Sequence, residues 1–454
     1  MRIIIIGAGP GGYETAVAAA SRGIEVTIVS DGPVGGTCLN EGCIPTKCFC
    51  RNAAFLDDLS KASSFGLENL NYDLDFKKVV SRKEEVVDGL RQGVEFLLKG
   101  KNISLLRGRA SFKDSRSVKV ALEDGSETEV SGDYIIIATG SQSAVLPIPG
   151  AELCLTSKEI LELEAAPQRL CVIGAGVIGL EFASIFKSFG SEVTVLEFCK
   201  EILPRFDTDL SKRLKQALSK RGIAIETSAQ VQSVEKTADG YKVSYLKKEQ
   251  SAEVLADKVL MAVGRRPAVN SLNLADAGIE FTPKGIAVDK DMRTNVPHIF
   301  AIGDITGGYM LAHVAVFQGK KALSAILGEA SLVNLGVVPA AVFTAPEAAT
   351  VGLSEDECKE AGIPVKCLKS FFRANGKAVS MDEPEGFVKL VVAGEGSETP
   401  GKILGCHLFG AHSADLVQEV AALMSKGATA EELSSIVHAH PTLGEVILAA
   451  AQGA

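Results

Sequence analysis

Apolar residues in this chain cluster in short unbroken runs. Residues 3–6 are four isoleucines, and residues 170–173 read LCVI. Runs of that kind suit a strand buried on both faces. Each is followed at once by a glycine turn, GAGPGG and GAGVIG. A helix-compatible stretch comes next, and then a second strand pattern, VTIVSD and VTVLE. The order strand, turn, helix, strand therefore occurs twice. A charged helix is predicted near 74–99. Three more buried strands are predicted in DYIIIATGS (133–141), DKVLMAVGRRP (257–267) and HIFAIGDITGG (298–308). From about 336 the pattern changes. VPAAVFTAPEAATVGL, FVKLVVAG and KILGCHLFG read as strands, and ADLVQEVAALMSKGA and TLGEVILAAAQ as helices. GEGSETPGK (394–402) reads as a polar hairpin loop.

The two repeats are βαβ units with Gly-x-Gly-x-x-Gly turns, the pattern that binds a dinucleotide. Gly7 and Gly174 are expected to allow the tight turn. Gly9 and Gly176 let backbone approach a pyrophosphate, and Gly12 and Gly179 let helix and strand pack closely. The pyrophosphate would meet a positive helix N-terminus. The fold class expected is α/β, with two Rossmann-like dinucleotide-binding domains and an α+β C-terminal domain. Glu197 ends the second strand of the second unit. There it can accept hydrogen bonds from a ribose and repel a 2′-phosphate, which points to NAD; an ordinary strand-end charge is the alternative. In the first unit Ser30 holds that place and Asp31 follows it. Asp304 suits polyol hydroxyls, or else caps a helix.

The chain has 454 residues, enough for about three domains. A net charge of −9 gives no basic footprint for nucleic acid. No apolar run approaches the ~20 residues that span a bilayer, and MRIIIIGAGPGG does not read as a signal peptide. Ten cysteines without such a signal point to a reducing, cytoplasmic setting, where a disulfide is expected to be catalytic.

Two cysteines stand out in GGTCLNEGCIPTK (35–47). Cys38, Cys43, Cys48 and Cys50 crowd one segment, expected to be helical after Pro45. They should not converge on zinc, and no metal site is expected. Residues five apart on a regular helix are displaced by roughly 7.5 Å, beyond the ~6.8 Å reach of a bridge. Gly42 and Pro45 would allow an irregular start, with a sulfur near a helix N-terminus. The spacing favours a reversible dithiol/disulfide, with two unlinked buried thiols as the alternative. HAHPTLGE (438–445) offers His440 as a base with Glu445 orienting it, or simply a structural histidine.

GAGPGGY, the cysteine segment, IIIATGS, VIGAGVIGLE, VGRRP, IFAIGD, MLAH, VFTAPEAATVGL and HAHPTLGE occur in one order along nearly the whole chain. In these motifs the chain resembles the pyridine nucleotide–disulfide oxidoreductases, in particular their dihydrolipoyl dehydrogenase branch. The resemblance implies non-covalent FAD, one per subunit, in a discontinuous domain (1–143 and 265–332). NAD would bind at 144–264, and 333–454 would form a dimer interface. It implies a redox-active Cys38–Cys43 pair, His440 as base, Glu445 as its partner, and His438 in support. Lys47 and Glu181 would pair beside the flavin. Thr37, Thr139, Gly140 and Ser141 would line the FAD site, with Asp304 on the ribityl chain. Ala312 would offer backbone to the flavin and Ala110 to the adenine; Val231 and Gly264 would offer backbone to NAD.

The implied activity is oxidation of protein-bound dihydrolipoamide to lipoamide with reduction of NAD. The implied form is a homodimer with shared sites, served by lipoyl domains of 2-oxo acid dehydrogenase complexes or by the glycine cleavage H protein. Glutathione reductase is disfavoured by Glu197, and mercuric reductase by an end, ILAAAQGA, without cysteine. A flavoprotein acting mainly as a complex subunit need not keep Cys38, Cys43, His440 and Glu445 together. The chain departs from the family at Ser30 and Glu41, at Gln318 for a frequent glutamate, and at Ala268 for an asparagine. Glu41 is expected to disfavour a neighbouring thiolate, so that replacing it eases thiol ionisation.

Overall fold

A computed structural model describes residues 1–453. The isoleucine run forms the strand Arg2–Ile6 in a seven-stranded sheet. It pairs in parallel with Glu25–Ser30 on one side and Tyr134–Ile137 on the other. Ile299–Ala301 and Ile103–Phe112 extend the parallel part. Ile3, Ile4 and Ile5 have no exposure, which is why this run carries no polar alternation. The second repeat builds a four-stranded parallel sheet. In it Arg169–Ile173 lies between Glu192–Glu197 and Lys258–Met261, with Ile223–Thr227 at the edge. In both sheets strand order reverses at the strand that feeds the glycine turn. Such a switch point opens a crevice at the carboxyl ends of the strands.

Helix α1 (Pro10–Ser21) follows the first turn. Then come α2 (Gly36–Asn40), α3 (Cys43–Ser60), α4 (Phe76–Leu98), α5 (Val177–Ser188), α6 (Thr208–Lys220) and α7 (Ala312–Leu327). Small residues bring α7 onto α1. A Cβ added at Gly319 would lie 1.9 Å from Thr15 Oγ1, and one at Gly11 3.1 Å from Ala315. Residues 312–327 thereby return to the first unit.

Two antiparallel meanders were not expected. One extends the first sheet through Ser117–Leu122 and Glu127–Ser131. The other is the three-stranded sheet of Ala229–Thr237, Gly240–Lys247 and Gln250–Ala256. Their strands alternate, as in SVKVAL and AQVQSV, but in short stretches with one face exposed. The helix expected after Pro45 begins two residues earlier, at Cys43. Pro45 falls in its first turn, where a missing N–H costs nothing.

The C-terminal part is a five-stranded sheet with one strand, Phe387–Ala393, wholly buried. The helices Ser413–Met424 and Glu445–Ala451 pack on it. Two polar clusters fasten this part to the second sheet. Lys389 Nζ meets Asp207 at 2.9 Å, Asp209 at 3.0 Å and Glu355 at 2.8 Å. The Arg221 guanidinium donates to Asp57 at 2.7 Å, to Ser184 and Ser188 at 2.9 Å, and to the Ala345 carbonyl at 2.8 Å. Among the described residues, no helix is long and apolar enough to cross a membrane.

Candidate active site

A continuous cleft of 3470 Å³ follows the carboxyl ends of both parallel sheets. The glycines divide their work as their spacing suggests. Gly7 has φ +108°, and a Cβ there would lie 2.3 Å from the Ala138 carbonyl oxygen. Gly174 repeats this at φ +105° and 2.4 Å from the Ala262 oxygen. A Cβ at Gly12 or Gly179 would strike the carbonyl of Gly7 or Gly174 at 2.0 Å, so these two let helix meet strand. At Gly9 and Gly176 a Cβ meets nothing within 4 Å. Both line the cleft, and their open space lies at the N-termini of α1 and α5. Two such cradles fit two pyrophosphates.

On the first side the cleft wall includes Ser30, Asp31, Thr37, Ala110, Thr139, Gly140, Ser141, Asp304 and Ala312. Ala312 is the first residue of α7, which points its N-terminus at the cleft. Asp304 accepts the Ser141 hydroxyl, and Arg265 Nε donates to that hydroxyl at 2.7 Å. Ser30 Oγ donates to the Gly32 carbonyl at 2.9 Å, which leaves its lone pairs free to accept. Asp31 is exposed, 4.0 Å from Arg109 Nε. Gln318 accepts the Gly303 N–H at 2.6 Å, an acceptor role that a glutamate could equally fill. Ala268 acts through backbone, its N–H on the Gly140 carbonyl at 3.0 Å.

On the second side Glu197 is buried at the strand end. It accepts the Ala175 N–H at 2.6 Å and the Cys199 N–H at 2.7 Å. Two amides therefore fix its orientation, unlike a free strand-end charge. Val231 lies beside a bulge that interrupts the ladder before Ser233, and Gly264 has φ +109°. Both line the cleft.

The cysteine segment lies across the first side. Cys38 sits in α2 and Cys43 opens α3. The chain breaks between them at Gly42, with φ −140° and ψ −108°. Both thiols are free. The two neighbouring thiols act on each other in opposite directions. Cys38, helped by the Lys47 ammonium, lowers Cys43 against the effect of burial. Cys43, together with burial, pushes Cys38 up. A negative charge on the reduced pair is therefore favoured on Cys43. Lys47 Nζ meets Glu181 at 2.8 Å; burial works against its ammonium, but Glu181 outweighs that and raises it.

Glu41 has a partner other than the dithiol. Its carboxylate turns to Lys158 at 3.0 Å, and the charges that act most on Cys43 are those of Lys47 and Glu181. A paired, half-exposed carboxylate has little field left to impose on the dithiol. Cys48 is buried, and Cys50 Sγ donates to the Phe343 carbonyl at 3.5 Å. No group of His, Cys, Asp and Glu among the described residues is arranged to hold a metal ion.

His440 and Glu445 lie outside the cleft. His440 Nδ1 meets Glu445 Oε1 at 2.9 Å, and Oε2 accepts the Thr442 N–H at 2.8 Å. The Thr442 amide and then His440 hold Glu445 below the ordinary carboxylate range. With Nδ1–H on a carboxylate, Nε2 is left as an acceptor, on a side chain 79 % exposed. His438 is fixed between Glu419 at 2.9 Å and the Ile436 carbonyl at 2.9 Å.

Residues 1–319 match the family described as pyridine nucleotide-disulphide oxidoreductase, and residues 338–451 match its dimerisation domain. The chain belongs to this family. It is 41 % identical over 452 residues to a dihydrolipoyl dehydrogenase of Bacillus subtilis, covering 99 % of this chain and 95 % of the relative. It is 40 % identical to a dihydrolipoamide dehydrogenase of Chaetomium thermophilum, covering 99 % and 90 %. Among solved structures, LpdA of Mycobacterium tuberculosis superposes with a TM-score of 0.91 at 29 % identity, covering 100 % of this chain and 99 % of that one. The Cu(II) complex of the HOCl-induced flavoprotein disulfide reductase RclA of Escherichia coli gives 0.88 at 30 %, covering 99 % and 98 %. As a pyridine nucleotide-disulphide oxidoreductase, the chain is a flavoprotein that uses FAD and NAD(H), and the two open cradles fit that pair. Sequence reasoning missed Arg265, Arg109, Lys158 and Phe343. Arg265 was visible in GRRP; the others touch the site only through the fold.

Proposed function

We propose that this chain is a dihydrolipoyl dehydrogenase, with residues 1–143 and 265–332 holding FAD, 144–264 holding NAD, and 333–454 forming the dimer interface. The observation that carries the reading is the placing of the cysteine pair: Cys38 on α2 and Cys43 at the head of α3 flank the break at Gly42 on the cleft wall, with the Lys47–Glu181 ion pair beside them.

In the oxidised state Cys38 and Cys43 form a disulfide. His440 takes a proton from one thiol of dihydrolipoamide, with Glu445 stabilising the imidazolium. The substrate thiolate attacks Cys38 Sγ, and Cys43 leaves with the electron pair. A thiol of lower pKa leaves faster, so attack falls on Cys38. The second substrate thiol then loses its proton and displaces Cys38. Lipoamide closes its ring, and Cys38 departs reduced. FAD, when bound, would supply the two-electron chemistry that links the dithiol to NAD. Lys47 keeps a positive charge beside Cys43 while the thiolate waits.

Gly9 and the N-termini of α1 and α7 would bind FAD, with Asp304 and Ser141 on the ribityl chain and Ser30 or Asp31 at the ribose. Gly176 and Glu197 would bind NAD, with backbone from Val231 and Gly264. The homodimer would share its sites between subunits and take lipoyl domains of 2-oxo acid dehydrogenase complexes or the glycine cleavage H protein as partners, in the cytoplasm.

Steady-state turnover with dihydrolipoamide, glutathione disulfide and Hg²⁺, each with NAD(H) and NADP(H), tests this. Dihydrolipoamide with NAD should dominate. Preference for glutathione disulfide or Hg²⁺ would move the chain to another branch, and no turnover with any of them would favour a binding subunit.

A further inference from the structure

One residue of the C-terminal sheet reaches the redox centre. Phe343 follows the strand Ala340–Val342, within the segment that matches the dimerisation domain. Its ring lies 4.2 Å from Lys47 Nζ, a cation–π distance. Its N–H donates to Glu181 Oε1 at 3.0 Å, while Glu181 Oε2 takes Lys47 at 2.8 Å. Its carbonyl accepts the Cys50 thiol at 3.5 Å, one helical turn beyond Lys47 on α3. Two residues on, the Ala345 N–H reaches Ser184 Oγ at 3.1 Å, which anchors the same segment to α5.

We propose that Phe343 is a positioning residue of the redox centre: through its ring and both its backbone groups, the C-terminal domain holds the Lys47–Glu181 pair against the cysteine helix and fixes the cationic charge that Cys43 meets. An ammonium on a four-carbon stem is free to rotate toward water. Here Glu181 holds it from one side and a ring face from another. Both oxygens of Glu181 are engaged, one by Lys47 and one by Phe343, so the carboxylate cannot swing away without breaking two bonds. The backbone groups do part of this work whatever the side chain; the ring adds the part that only an aromatic face supplies. The groups facing Cys43 are Cys38 from α2, Lys47 from α3 and Glu181 from α5. Displacing Lys47 removes the only cation among them and leaves a carboxylate that opposes the thiolate.

This rests on the proposed function, with Cys43 as the thiolate of the reduced pair and the member that would face the flavin. The test uses the FAD-loaded, two-electron-reduced enzyme and titrates its thiolate–flavin charge-transfer absorbance against pH. Phe343→Leu and Phe343→Met should move the midpoint up by about one pH unit, and Phe343→Tyr should return it to the wild-type value. A midpoint unmoved in Leu and Met variants of full flavin content overturns the proposal. So does flavin loss in both while Tyr retains flavin, because the ring would then serve packing alone. A wild-type enzyme without the absorbance band would instead overturn the role of Cys43, and this inference with it.

Discussion

Lys389 Nζ lies 2.9 Å from Asp207, and the two side chains are 2 % and 0 % exposed. This ion pair joins the C-terminal sheet to the start of α6, where the other oxygen of Asp207 caps the helix. Removing one partner strands a buried charge. Lys389→Met is therefore expected to cost about 3–5 kcal/mol, measured by denaturant unfolding. Lys389→Met with Asp207→Asn should recover part of it. A loss under ~1 kcal/mol would mean that water reaches the site.

The outer members of that cluster give it a pH dependence. Lys369, then Lys389, hold Asp209 at about 2; Lys359, then Lys389, hold Glu355 at about 2. A carboxylate depressed on folding contributes stability above its unfolded value, near ~4, and loses it as pH falls through the folded value. Melting temperature should thus be flat down to about pH 4 and fall between there and pH ~2. The fall should be shallower in Lys389→Met. Equal slopes would place the acid-sensitive groups elsewhere.

Glu197, the proposed partner of a ribose 2′-OH, is already oriented by the amides of Ala175 and Cys199. Glu197→Ala should lower kcat/KM for NAD by about 10–100-fold, the size of one charged hydrogen bond. NADP should lose less, because a repulsion goes as well. The ratio of kcat/KM for NAD to that for NADP reports it. An unchanged ratio would put nucleotide selection on other residues.

Glu41 supplies a contrast to Lys47. Since it spends its charge on Lys158 at 3.0 Å, Glu41→Val should leave the charge-transfer midpoint within about 0.3 of a pH unit. A drop of a full unit would show that the carboxylate does act on the dithiol.

The dinucleotide units were legible because their demands are local. A strand buried on both faces needs an unbroken apolar run, and a glycine turn needs its φ and its space within a dozen residues. His440 and Glu445 were legible for the same reason, five residues apart. The pairing of Glu41 was not legible because its partner, Lys158, is 117 positions away on a different part of the chain, and no local pattern announces it. Phe343 was missed likewise: its motif was visible, but its contact with Lys47 exists only once the C-terminal sheet docks. The meanders were missed although SVKVAL and AQVQSV alternate as half-buried strands do, since each stretch is short and lacks the unbroken apolar run of the parallel strands.

The His440 side chain is 79 % exposed and lies outside the cleft that holds Cys38 and Cys43, while the segment around it matches a dimerisation domain. If the base serves the partner subunit's dithiol, exposure in one chain is what a shared site requires. His440→Gln homodimers should lose about 10²–10⁴-fold in dihydrolipoamide oxidation, and Cys38→Ser homodimers should be as poor. A hybrid of the two mutants separates the arrangements. Acting across the interface, it has one site with both defects and one with none, so about half of wild-type activity returns. Acting within one chain, every site keeps a defect and the hybrid stays inactive. The two mutants, tagged differently and co-expressed, give the hybrid as the doubly tagged dimer. An inactive hybrid with full flavin content would refute the shared site.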